Sequence, residues 1–136
     1  MKTILLIDDE PESLIVFADM LHRCGYEVIA VKDGVSALSA VREGAPVDLV
    51  ITDYRIAGMD GLEILTSLKM LAPSVPSIML TGHTSIETYL KAINLGVFEY
   101  LNKPVNAKEL GRIVRAALEK AQTSFEYPNQ APSPVR

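Results

Sequence analysis

Five short runs of aliphatic and β-branched residues recur along the chain. Each is followed by a longer stretch in which apolar positions return every three or four residues. The runs predict strands over 3–7, 27–31, 49–52, 77–80 and 98–101, and the periodic stretches predict helices over 11–23, 35–43, 61–71, 85–95 and 106–122. The order is a strand–helix unit repeated five times. Runs such as Leu5-Leu6-Ile7 and Leu49-Val50-Ile51 do not alternate with polar residues, as they would if one face met water. Both faces must be covered, which points to a parallel sheet with helices on each side. The expected fold class is α/β, a doubly wound three-layer sandwich.

Helix punctuation agrees. Asp9 with Glu12, Asp60 with Glu63, Thr84 with Glu87 and Asn106 with Glu109 each place a capping side chain three positions before a Glu, the pairing that satisfies orphan amides at a helix start. Asp33, after the second strand, is expected to cap the second helix. Gly25, Gly44 and Gly96 follow three of the helices, where a left-handed residue ends a helix at least cost. Beyond Gln122 the periodicity stops, and Pro128, Pro132 and Pro134 fall in a polar stretch. One folded domain over 1–122 is expected, with 123–136 a flexible tail or a linker cut short.

Composition narrows the function. With 136 residues of which 49% are hydrophobic, the chain can bury one core and has no room for a second. Thirteen basic against seventeen acidic residues give a net charge of −4, so the basic face of a direct nucleic-acid binder is not expected. The single cysteine, Cys24, excludes an intrachain disulfide or a thiolate metal cage. The first apolar run is too short for a signal-peptide core, and no stretch approaches the roughly 20 apolar residues of a membrane span. The expected location is the cytoplasm, without a membrane partner.

In a parallel sheet the carboxyl ends of all strands lie along one edge, so residues just past each run become neighbours. Read in this way, the first strand delivers Asp8 and Asp9, the third Asp53, the fourth Thr81 and the fifth Lys103. Two carboxylates about 4 Å apart repel by roughly 4 kcal/mol at an effective dielectric near 20, and one lysine cannot balance three acids. Oxygen-rich sites of this kind suit Mg²⁺, or Mn²⁺, with positions left for water and a phosphate oxygen. Metal, ammonium, hydroxyl and nearby amides together fit a phosphoryl group, with Asp53 as a carboxylate nucleophile.

Four motifs fall in order at these strand ends: Ile7-Asp8-Asp9-Glu10, Val50-Ile51-Thr52-Asp53 with Gly58-Met59-Asp60-Gly61 behind it, Leu80-Thr81-Gly82, and Tyr100-Leu101-Asn102-Lys103-Pro104. Through them the chain resembles, from Lys2 to about Gln122, the receiver domain of two-component response regulators, and its segment from Thr81 to Pro104 looks most like the receivers attached to AAA+ transcriptional activators. The resemblance implies a flavodoxin-like sheet of order 2-1-3-4-5. It implies that Asp53 accepts a phosphoryl group from a histidine kinase or histidine phosphotransfer protein, in a self-catalysed reaction followed by autodephosphorylation. Asp9, Asp53 and the Arg55 carbonyl would hold Mg²⁺ directly, and Asp8 through water. Lys103 would pair with the phosphoryl oxygens and Thr81 would swing toward them. Tyr100 would turn inward with Thr81 and change the surface of the fourth helix, fifth strand and fifth helix. The Lys103–Pro104 bond would be cis, and the Arg55 and His83 side chains would tune phosphoryl lifetime. A downstream effector, or an output domain outside this sequence, would read the change, and a homodimer through the fourth and fifth helices is a further expectation. Ala57 stands where the family often has proline.

Three other readings compete. An aspartate-nucleophile phosphatase uses a similar set but needs an acid two residues after its nucleophile, where this chain has Arg55. A flavin-binding electron carrier shares the topology, but its first loop needs phosphate-cradling donors and here that loop is acidic. A phosphorylation-incompetent interaction module would have no use for the full acid set.

Overall fold

The computed structural model describes residues 1–126. Its elements alternate as expected: β1 (Thr3–Ile7), α1 (Pro11–Arg23), β2 (Glu27–Val31), α2 (Gly34–Arg42), β3 (Leu49–Thr52), α3 (Gly61–Leu71), β4 (Ser77–Thr81), α4 (Ile86–Leu95), β5 (Glu99–Asn102) and α5 (Ala107–Glu126). The last helix runs past its expected end at Gln122, and the remainder of the expected tail, 127–136, lies outside the described residues.

The strands form one parallel sheet in the order β2-β1-β3-β4-β5. Alternate residues of the central strands feed two separate cores. Ile4, Leu6, Ile51 and Leu80 face α1 and α5, meeting Phe17, Leu21, Leu110 and Val114. Leu5, Ile7, Val50 and Met79 face α2, α3 and α4, meeting Leu38, Ile64, Leu68 and Ala92. Burial on both faces is why β1 and β3 read as unbroken apolar runs.

The helix ends follow the sequence in part. Asp60 and Glu63 form a reciprocal capping box at α3, the Asn106 side chain accepts from the Glu109 amide at 2.8 Å, and Asp33 caps α2 through the Ser36 amide at 2.7 Å. Gly25, Gly44 and Gly96 have φ of 95°, 90° and 96°. Two expected caps are replaced. Ser85, not Thr84, accepts from the Thr88 amide at the start of α4. At α1 the cap position falls to Glu10, whose side chain makes no capping bond, because the Asp9 carboxylate is drawn to the Ala57 amide at 3.0 Å.

Backbone pairing continues one residue beyond the strands at the carboxyl edge. The Asp8 amide donates to Val31 O, the Asp53 amide to Ile7 O and the Lys103 amide to Thr81 O, at 3.1, 3.1 and 2.9 Å. This extension holds Asp8, Asp53 and Lys103 in the register of the sheet.

Candidate functional site

Asp8 and Asp53 follow neighbouring strands and are both buried. Lys103 reaches them from beyond β5, and its ammonium donates to Asp8 Oδ2 at 2.7 Å, Asp53 Oδ2 at 2.9 Å and Ser13 Oγ at 3.2 Å. The other oxygen of Asp53, Oδ1, accepts from the Thr81 hydroxyl at 2.6 Å and the Arg55 amide at 3.2 Å. The His83 amide donates to Thr81 Oγ1 at 3.0 Å, which leaves the hydroxyl hydrogen to point at Asp53.

These contacts set the charges. Burial pushes the Asp53 carboxyl up, but hydrogen bonds from Thr81 and Lys103, the Lys103 charge and the Arg55 amide outweigh it and hold the group below the ordinary aspartate range. For Asp8 burial prevails over the Lys103 and Glu10 contacts, and its carboxyl lies above that range. Burial disfavours the Lys103 ammonium, yet its bonds to both acids raise it above the usual lysine value. Asp53 is therefore an anion at neutral pH, engaged by a hydroxyl and a cation.

Asp8, Glu10 and Asp53 each offer a carboxylate oxygen, and these atoms lie within 4.8 Å of one another. Three acids facing one ammonium leave surplus negative charge on hard oxygens, a donor set that fits a divalent cation such as Mg²⁺. Glu10, which the strand-end reading does not assign to the site, is part of this cluster. Asp9 is turned to the Ala57 amide and stands outside this cluster, though it borders the same open cleft as Glu10, Asp53, Arg55 and His83.

The remaining expected residues surround this core. Arg55 and His83 are exposed at the rim of the cleft. Tyr100 is half-buried against the α2–α3–α4 core, edge-to-face with Tyr89 at 5.5 Å, and its hydroxyl is buried with no hydrogen-bond partner among the described residues. The Lys103–Pro104 bond is cis. Gly61 opens α3 directly beneath the site. Its amide donates to Tyr54 O at 2.7 Å, and any β-carbon there would collide with the Asp53 carbonyl. The rule that brings strand ends together does not reach Glu10, Ser13 or Phe17. The one available signal was the four-residue spacing of Ser13 and Phe17, which places them on one face of α1, below the acid pair.

Residues 4–115 match the family described as the response regulator receiver domain. The transcriptional regulatory protein ZraR of Klebsiella oxytoca is 33% identical over 130 residues, covering 96% of this chain and 29% of that protein. The nitrogen assimilation regulatory protein NtrX of Azorhizobium caulinodans is 37% identical over 118 residues, covering 85% of this chain and 26% of that protein. The chain thus spans less than a third of the length of these relatives. Among solved structures, a response regulator receiver domain protein from Clostridium thermocellum superposes with a TM-score of 0.85 at 32% identity, covering 90% of this chain and 98% of that one. NtrX from Brucella abortus, solved in complex with ADP, superposes at 0.88 with 32% identity over 100% of this chain and 31% of its own. By sequence and by fold, the chain belongs to the response regulator receiver domain family.

Proposed function

We propose that Asp53 accepts a phosphoryl group from a histidine kinase or histidine phosphotransfer protein, and that residues 1–122 act as a switch of the cytoplasm. The observation that carries this reading is a buried, ionised carboxylate held between the Lys103 ammonium at 2.9 Å and the Thr81 hydroxyl at 2.6 Å. A carboxylate oxygen of Asp53 attacks phosphorus, a P–O bond forms, and the bond to the donor breaks with its electron pair leaving on the donor. Lys103 and Thr81 transfer their hydrogen bonds from the carboxylate to the phosphoryl oxygens. Asp8, Glu10 and Asp53 would hold Mg²⁺, joined in the family pattern by Asp9 and the Arg55 carbonyl, and the ion would neutralise the charge gathered there. The chain catalyses its own phosphorylation and hydrolysis and turns over no separate substrate, with Arg55 and His83 at the rim setting the lifetime.

Movement of Thr81 onto the phosphoryl group frees space beside Tyr100, whose contact with Tyr89 joins the site to α4. The outer face of α4 exposes Ile86, Leu90 and Ile93, an apolar surface suited to an effector, an output domain or a second copy through α4 and α5. The test is incubation with acetyl phosphate and Mg²⁺, read by intact mass. Addition of one phosphoryl group to the wild type and none to Asp53→Asn is expected. Equal labelling of the variant refutes the assignment of Asp53, and an unlabelled wild type points to an interaction module that does not use phosphorylation.

A further inference from the structure

Lys103 is held from a side that the strand-end acids do not explain. An ammonium has three hydrogens to donate, and here their partners are Asp8, Asp53 and Ser13, at 2.7, 2.9 and 3.2 Å. Ser13 lies in the first turn of α1, and one turn further on the buried Phe17 ring sits 5.6 Å from the same nitrogen. Helix α1 thus supplies a ledge, one hydroxyl and one aromatic face, on which the ammonium rests. We infer that Ser13 is a positioning residue for phosphoryl transfer, holding Lys103 in the attitude that receives the incoming group; the inference rests on the phosphoacceptor reading above.

When Asp53 is phosphorylated, the bond from Lys103 to Asp53 must pass to a phosphoryl oxygen. The bonds to Asp8 and Ser13 need not change. Two fixed N–H directions on a tetrahedral nitrogen determine the third, so these two contacts aim the remaining hydrogen at the reacting carboxylate.

The chemistry of Ser13 matters as much as its place. A neutral acceptor anchors the cation without adding a further negative charge to compete with the phosphoryl group. A competitor is at hand in Glu10, whose Oε1 lies 3.7 Å from the ammonium and accepts from the Ser13 hydroxyl at 3.4 Å. With the hydroxyl removed, a lysine side chain that is only 14% exposed keeps one hydrogen without a fixed partner and its aim at Asp53 slackens; at saturating Mg²⁺, which would engage Glu10, that carboxylate is not an alternative partner.

Acetyl phosphate labelling of the full chain, followed by intact mass over a Mg²⁺ titration, tests this with Ser13→Ala and Ser13→Thr. Expected for Ser13→Ala is a maximal labelling rate about fivefold below wild type, the cost of one long hydrogen bond to a charged group. The half-saturating Mg²⁺ concentration stays within about twofold and the melting temperature is unchanged, because the residue is half-exposed and alanine favours a helix. Ser13→Thr, which keeps the hydroxyl, restores the rate. Labelling of Ser13→Ala at the wild-type rate overturns the inference. So does a loss that Ser13→Thr fails to restore, or one matched by a lower melting temperature and weaker Mg²⁺ dependence, since those mark a structural role. A wild type that takes no label while still binding Mg²⁺ fails at the earlier step and removes the phosphoacceptor reading together with the inference.

Discussion

Asp8 and Asp53 approach one ammonium from neighbouring strands, and their carboxyls respond in opposite directions. Asp53 has a hydroxyl and an amide in addition to its share of Lys103, whereas Asp8 has only the Glu10 amide besides the same lysine. A carboxyl with a higher pKa in the fold than in the unfolded chain costs stability once pH exceeds its titration range, and costs nothing below the unfolded value. For Asp8 that unfolded value is 3.8. Asp8→Asn leaves Lys103 paired one-to-one with Asp53, so no buried charge is stranded. The metal-free variant is therefore expected to be more stable than wild type at pH 7 by on the order of 1 kcal/mol, with the two converging as pH falls toward 3.8. Thermal melts between pH 4 and pH 7 in chelator check this, and a variant less stable than wild type at pH 7 contradicts it. Mg²⁺ narrows the gap, because the variant has lost one candidate ligand oxygen.

The connection from β3 to α3 shows how an element can be tied to a single atom. Gly61 begins the helix against the carbonyl of Asp53, so that residue and the helix start share one close backbone contact. Gly61→Ala must push α3 or the Asp53 backbone aside. A loss of about 3 kcal/mol is expected, together with slower acetyl phosphate labelling. Denaturant unfolding and the mass assay measure the two effects, and a variant that is stable yet unlabelled would show that the contact governs geometry alone. All ten elements were legible from the sequence, because unbroken apolar strands and periodic helices are strong signals and the capping box at Asp60 is local. Asp8, Asp53, Thr81 and Lys103 were legible for the same reason, since topology alone brings strand ends together. The choices between adjacent residues were not. Asp9 and Thr84 are competent caps, but a distant amide at Ala57 claims the first and Ser85 displaces the second. Glu10 and Ser13 look like ordinary helix surface until the fifth strand delivers Lys103 beside them.

At the scale of the whole fold, a single sheet among the described residues forms a wall of two cores that share no buried residue there. The strands contribute to both at alternate positions, so disruption of either side is felt by the other through the shared backbone ladder. Leu110→Ala on the α1–α5 side and Ile64→Ala on the α3 side, both fully buried, are each expected to cost about 3 kcal/mol and to move one common transition. Urea unfolding followed by far-ultraviolet dichroism and by tyrosine fluorescence checks this, and separated midpoints in either variant would mean that the two sides melt independently.

The participants at the carboxyl edge are gathered from the beginning, middle and end of the chain: Asp8 after β1, Asp53 after β3 and Lys103 after β5. During synthesis, a polypeptide that has emerged only as far as α4 carries two acids with no ammonium between them. On the phosphoacceptor reading proposed above, such a stretch lacks the cation that receives the incoming group, so a fragment ending at α4 is expected to take no label from acetyl phosphate.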